Sequence, residues 1–470
     1  MSDATRLAGW IGVTDANRRW YVLVAMGATL GTILLDETVV GVALQTIQTD
    51  LDMSVVAGHW VVNSYLLTLA AFVAIGGRLA DSHGYRRVFV FGATVFALAS
   101  LACALATGPA MLIAARSVQG VGAAMVFPLS LALVMISFPQ EERGTAIGFY
   151  GLVGTAGLTL GPLVGGVFTE YLSWRWIFAI NPIVMVAVIF VVATIWREPA
   201  RPDLRPAIDW RGLAILATAL GSLVFAIMQA STWGWGAPAT VTLIVVGLVA
   251  LVLFRYVELR TDEPLIDVTL FGRPSFTGAN LGVFMAQLSK STVIVFLPLY
   301  LQSVLDFSAI EAGLALMPGM AMNLLLALPG GRLVDRVGPG WPLIVGLGGL
   351  VVAHVWIAGA VDIDSYALLL PALLTWGAFT VATFSGSLTA IANSVPVAMQ
   401  GQAAGISNES QMVGGALGIA VLSAMQTAGR SWTVVFGAVA VVAAIVFAVG
   451  LLTVDRSRPQ VATMPDVAMA

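Results

Sequence analysis

The chain has 470 residues, of which 59% are hydrophobic and only 10% charged, for a formal net charge of −3. Its mean hydropathy is +0.94. A water-soluble protein of this size needs about 25% charged residues to cover its surface, so a soluble globular chain is excluded. The apolar residues suffice for roughly 13 spans of about 20 residues each.

The same arithmetic removes much chemistry. The single Lys, Lys290, follows Ser289, so the chain has no Gly-Lys-Ser/Thr phosphate loop. Cys103 stands alone, which precludes an internal disulfide or a cysteine cluster. His59, His83 and His354 are far apart in sequence, and no metal site or cofactor is expected. The charge is spread over short loops, without the basic footprint of a nucleic-acid binder. The first twenty residues hold no long apolar core and no Ala-x-Ala site, and are not expected to act as a signal peptide.

In chain order, apolar runs between charged or Gly/Pro breaks predict helices 1 to 6 at 21–43, 57–79, 87–106, 109–137, 143–169 and 176–196. Helices 7 and 8 follow at 210–230 and 238–258. Helices 9 to 14 follow at 277–304, 311–333, 341–361, 366–394, 402–427 and 432–454. The expected fold class is all-α integral membrane, with fourteen spans and no soluble domain. An even number of spans puts both termini on one side. The termini and the loops after even-numbered helices hold 18 of the 22 Lys and Arg residues, whereas the opposite loops hold only Arg175 and Arg430. Cytoplasmic termini follow from this bias. Trp233 and Trp235 fall where an outer aromatic belt is expected.

The chain repeats itself. Gly76-Gly77-Arg78-Leu79-Ala80-Asp81-Ser82-His83-Gly84 after helix 2 returns as Gly330-Gly331-Arg332-Leu333-Val334-Asp335-Arg336-Val337-Gly338 after helix 10, an offset of 254. The same offset lays helix 1 on helix 9, matching Thr38 to Thr292, Val39 to Val293 and Gln48 to Gln302. Two parallel six-helix halves with a site between them is a transporter architecture. The expected divisions are a first bundle over 1–200, an inserted hairpin of helices 7 and 8 over 201–262, and a second bundle over 263–470.

Several motifs then coincide. They are Leu35-Asp36-Glu37-Thr38-Val39-Val40-Gly41 in helix 1, Gly77 to Arg87 after helix 2, and Arg116-Ser117-Val118-Gln119-Gly120-Val121-Gly122 in helix 4. Helix 5 adds Gly148, Gly157, Gly161-Pro162 and Gly165-Gly166, and the helix 5–6 junction reads Trp174-Arg175-Trp176-Ile177-Phe178-Ala179-Ile180-Asn181-Pro182. Over nearly the whole chain this resembles the major facilitator superfamily, in its fourteen-helix drug:proton antiporter branch. The resemblance implies a multi-pass exporter in a bacterial cytoplasmic membrane, driven by the proton gradient without a cofactor. It also implies amphiphilic small-molecule cargo, protons and the lipid bilayer as partners, and a monomer.

Candidate site residues follow. Asp36, Glu37, Arg116, Lys290 and Glu409 are ionisable at membrane depth, and each needs a partner or a wet cavity. Asp36 and Arg116 each lie about 10–12 Å from the same membrane face, counting about 1.5 Å per residue. A carboxylate beside Arg116 is either a permanent ion pair or a proton-coupling device. Adjacent helical residues diverge by about 100°, so Asp36 and Glu37 take different roles, and spacing alone does not say which faces the cavity. Proton coupling is expected among Asp36, Glu37, Arg116 and Glu409. Lys290, at the repeat position of Asp36, either pairs with an acid (Glu409, Asp36 or Glu37), contacts cargo, or snorkels. With Gln287, Asn323 and Asn408 it makes up the expected substrate cavity. Gly77, Asp81, Gly84, Arg86, Arg87, Gly331, Asp335 and Arg336 read either as an inner-gate latch or as positive loops with tight turns. The helix 5 glycines (Gly148, Gly157, Gly161, Gly165 and Gly166) with Pro162 read as a close-packed seam.

The expected function is proton-driven export of amphiphilic drugs or secondary metabolites. The alternatives are a dedicated exporter of one anionic natural product or a lipid flippase of the same fold. A membrane enzyme or sensor would need a catalytic cluster or an output domain, and the sequence supplies neither.

Overall fold

The computed structural model describes residues 14, 17–139, 142–198, 209–261, 264, 266–395 and 399–456. They form helices α1 (Arg18–Asp50), α2 (Val55–His83), α3 (Tyr85–Ala104), α4 (Pro109–Ser137), α5 (Arg143–Tyr171), α6 (Trp176–Phe190), α7 (Trp210–Trp233) and α8 (Pro238–Glu258). Then come α9 (Pro274–Ser303), α10 (Ala309–Val337), α11 (Gly340–Asp362), α12 (Tyr366–Asn393), α13 (Gln400–Thr427) and α14 (Trp432–Thr453). Thirteen are long and apolar enough to cross a membrane. The other is α13, whose apolar run is broken by Ser407 through Gln411.

Local chemistry sets the ends. Pro109, Pro238 and Pro274 open α4, α8 and α9, where the missing amide proton is not needed. Ser54 and Ser431 cap α2 and α14, and Ser308 with Glu311 forms a capping box on α10. Gly84 and Gly338 join α2 to α3 and α10 to α11 with φ of 99° and 85°. Those conformations are close to glycine-only. Gly84→Ala or Gly338→Ala is expected to cost about 1–3 kcal/mol, read as a lower thermal midpoint in detergent. The helix expected at 176–196 ends differently: α6 passes into a π-helical turn over Val191–Ile195. α1 runs past the expected residue 43 to Asp50, because polar Gln45, Gln48 and Thr49 end the apolar run without ending the helix.

The repeat reappears as packing. In the first half α1 packs on α5, α2 on α4, α3 on α4, and α3 on α6. In the second half the equivalent pairs are α9 on α13, α10 on α12, α11 on α12, and α11 on α14. Between halves, α5 meets α10, α2 meets α13, and α1 meets α9, as a pseudo-two-fold axis demands. α7 pairs with α8 and rests on both α2 and α13. Trp376, Phe296 and Phe178 are fully buried, whereas Leu452 is 87% exposed and Leu328 73%. Large apolar side chains facing outward all around the bundle fit a lipid solvent. Trp233 and Trp235 are exposed at the α7–α8 turn, on the end opposite the termini.

Candidate functional site

Asp36 lies midway along α1 and Arg116 two turns into α4, and both are fully buried. An Arg116 amino nitrogen donates to Asp36 Oδ2 at 2.6 Å and to Gln119 Oε1 at 2.7 Å, while Arg116 Nε donates to the Val61 carbonyl at 3.0 Å. The guanidinium carbon stands 4.2 Å from the Tyr65 ring centroid. The other Asp36 oxygen accepts from Gln119 Nε2 at 3.0 Å and Asn181 Nδ2 at 2.8 Å. Gln119 and Asn181 both donate to Ser100 Oγ, which donates to the Phe178 carbonyl. Side chains of α4 and α6 thus bond one carboxylate of α1, with α2 and α3 contributing to the layer behind them. A buried charge pair costs least when its remaining lone pairs and protons are satisfied; this shell satisfies both Asp36 oxygens, while Arg116 Nη2 has no hydrogen-bond partner among the described residues. The matched depths of Asp36 and Arg116 anticipated the pair.

Glu37, one residue on, turns to the other half. Lys290 Nζ on α9 lies 3.1 Å from Glu37 Oε1, and Gln287 Nε2 donates to the same oxygen at 2.6 Å. Of the partners open to Lys290, the structure selects Glu37. The two adjacent acids take separate roles, as their angular divergence requires: Asp36 bonds inside one half, and Glu37 bonds between halves.

Lys290 and Gln287 line a cavity of about 340 Å³ between the halves, with Asn323 of α10, Gln411 of α13, and Leu34 and Phe384 among the other walls. Lys290, Gln287 and Asn323 are thus brought together on one cavity wall. Asn408 does not line this cavity; Gln411, further along α13, does. Glu409 is set apart from the Asp36 group. It lines a second cavity of about 360 Å³ between the α7–α8 hairpin and α9, beside Asn280, Phe254 and Phe284.

The halves touch beyond the cavity, toward the end away from the termini. Gln302 donates to the Val42 carbonyl at 3.0 Å, the Ile310 amide to Glu170 at 3.0 Å, and His59 Nδ1 sits 2.6 Å from Ser423 Oγ. Close backbone packing at Gly41 against Ile294 and at Gly313 against the Pro162 carbonyl lies at the same level. The cavity lies on the terminus side of these contacts.

The α5 seam is asymmetric along its length. Gly157, Gly161 and Gly165 lie against Gly31, Thr38 and Val39 of α1, and a Cβ at Gly166 would come 2.7 Å from Ile310 Cα across the half boundary. Gly148 faces open space, so it plays no part in close packing. In the loop motif, Arg86 donates to the Trp196 carbonyl and so caps the end of the first half's last helix. Arg87 and Arg336 are exposed. Gly331 also meets nothing; the close approaches fall one residue earlier, at Gly76 against Ala124 and Met125, and at Gly330 against Val381. Gly77 and Asp81 lie on α2 and Asp335 on α10, and the surroundings of all three fall outside what is described.

Gln119, Asn181, Ser100 and Gln411 were not singled out from the sequence. Gln119 and Asn181 stand inside the motifs quoted above, and as lone amides in apolar helices they carried the available signal.

Comparison with known proteins identifies the family. The chain matches the model of the Major Facilitator Superfamily over residues 26–419 and 279–465. It is 38% identical over 418 residues to the cephamycin export protein of Amycolatopsis lactamdurans, covering 85% of this chain and 83% of that protein. It is 35% identical over 416 residues to the puromycin resistance protein of Streptomyces alboniger, covering 87% and 82%. A third relative is the lincomycin resistance protein of Listeria monocytogenes, 33% identical over 401 residues with 84% of each chain covered. A solved D-xylose–proton symporter shares the fold with a TM-score of 0.66 at 17% identity, covering 92% of this chain and 98% of that one. The chain belongs to the major facilitator superfamily and is a multi-pass membrane transporter, not an enzyme.

Proposed function

We propose that the chain is a proton-coupled exporter of amphiphilic drugs or secondary metabolites. It would act as a monomer in a bacterial cytoplasmic membrane with both termini inside. The exporter reading draws on relatives named for cephamycin export and for puromycin and lincomycin resistance. The observation that carries the coupling is the buried Asp36–Arg116 pair. Asp36 is the counter-ion of Arg116, and a proton delivered to it would cancel that charge and release the guanidinium. Protonation then changes how the first half packs, and the halves rock about the cavity by alternating access. In this account the present arrangement is the cytoplasm-facing one, in which cargo loads.

The test uses inverted vesicles acidified by respiration, with lumenal pH followed by a fluorescent dye. Adding cargo should dissipate the gradient in the wild type and leave it intact in Asp36→Asn. Dissipation of equal size in Asp36→Asn would remove Asp36 from the coupling.

A further inference from the structure

The charge facing the cargo cavity has the sign opposite to that expected for a cationic-drug exporter. Among the described residues that line the cavity, Lys290 is the only charged one. Its side chain is 14% exposed, against 9% for Glu37, which does not line the cavity. The buried carboxylates Asp36 and Glu37 both stand behind the wall: Asp36 faces Arg116 within the first half, and Glu37 sits behind Lys290. The remaining polar lining near Lys290 includes the amides of Gln287, Asn323 and Gln411, on three helices of the second half.

We infer that the cavity selects amphiphilic anions, whose carboxylate or comparable group takes the place of Glu37 on the Lys290 ammonium. This deepens the exporter reading and rests on it in one respect, that this cavity is where cargo sits. An entering anion finds a partly exposed Lys290 side chain whose ammonium is at hydrogen-bonding distance from an acid it can replace, with apolar walls such as Leu34 and Phe384 for its body. The displaced Glu37 keeps the Gln287 amide on the same oxygen at 2.6 Å, and the loss of its counter-ion is the cost against which cargo competes. An organic cation meets an ammonium whose charge Glu37 already balances and, among the described lining residues, no acid to bind, so the discrimination rests on attraction of the anion to Lys290. Glu37 therefore acts as a resident counter-ion: it keeps Lys290 paired when the cavity is empty, and it competes with cargo when the cavity is full.

Two probes with one fluorophore and opposite charge separate the cases: dansylglycine, an anion, and dansylcadaverine, a cation. Each is titrated against the purified full chain in nanodiscs, with empty nanodiscs as background. Dansylglycine should bind more tightly than dansylcadaverine. Lys290→Gln should weaken dansylglycine by about tenfold or more and leave dansylcadaverine no weaker. Glu37→Gln, which removes the competitor, should tighten dansylglycine. A preference for dansylcadaverine, or dansylglycine binding that is absent or indifferent to Lys290→Gln, overturns the inference. Should Lys290→Gln fail to fold, Glu37→Gln decides alone: weakened or unchanged anion binding overturns it. Binding in nanodiscs needs no gradient. Anion binding without proton flux would sink the coupling reading and leave this one standing, and proton flux driven by the cation alone would do the reverse.

Discussion

Arg116→Leu is expected to destabilise the chain by about 3–5 kcal/mol and to abolish transport, because it leaves Asp36 charged and buried without its counter-ion. The shell shows why relief is limited: Gln119 and Asn181 donate to one Asp36 oxygen, but the other is held by the guanidinium alone. Asp36→Asn should destabilise as well, leaving Arg116 as the uncompensated charge among Tyr65, Phe178 and the Val61 carbonyl. The double variant Asp36→Asn/Arg116→Leu is the informative one. Replacing a whole buried ion pair by neutral groups of similar volume is often neutral or stabilising, so the double should recover most of the thermal midpoint lost by either single change. A structural pair and a coupling pair then part company. If the pair only holds the fold, transport returns with stability. If Asp36 carries the proton, stability returns and transport does not. Thermal unfolding in detergent and dye-reported proton flux in vesicles measure the two on the same protein. Transport restored in the double variant would refute the coupling role.

Much of this was legible beforehand, and the reasons differ by residue. α4 and α8 begin and end where the apolar runs do, since Pro109 and Pro238 mark their starts. Depth along a helix is also readable: a fixed rise per residue put Asp36 and Arg116 at one level, and they bond. Rotation about the helix axis is not readable without a neighbour. That is why Glu409, at a plausible height on α13, proves to face the hairpin side rather than Lys290. It is also why Asn408 was expected in the cavity and Gln411 is found there. The repeat puts Lys290 at the position equivalent to Asp36 and leaves its acid open, and the acid that meets it is Glu37. α1 and α9 face each other at nearly equal repeat positions, with Gly41 against Ile294, so either neighbour could have served, and only the packing of the two halves selects one.

The α5 glycines predict a graded set of outcomes along one helix. Gly148→Ala should be silent, within about 0.5 kcal/mol, because an added methyl there meets nothing. Gly157→Ala should be severe. Its methyl would run into the backbone of Gly31, which, unlike a side-chain tip, cannot rotate away. Overpacking of this kind costs about 1–3 kcal/mol, and prising α5 off α1 also strains the helix that carries Asp36. Loss of folded yield and of transport should therefore come together. Gly166→Ala differs in kind. Its methyl would strike Ile310 and Ala309 of α10, across the boundary between the halves, while leaving the α1–α5 seam untouched. It should leave the fold intact but disfavour the arrangement in which the halves close at the end away from the termini, since only that arrangement contains the collision. A cysteine placed at Thr155 on the cavity wall reports the difference. The native Cys103 is fully buried, so labelling by a membrane-impermeant maleimide reads the introduced thiol. Gly166→Ala should lower labelling from the terminus side at an unchanged folded yield, and Gly148→Ala should leave it unchanged. Equal labelling in both variants would mean that the α5–α10 contact packs the bundle without governing which side is open.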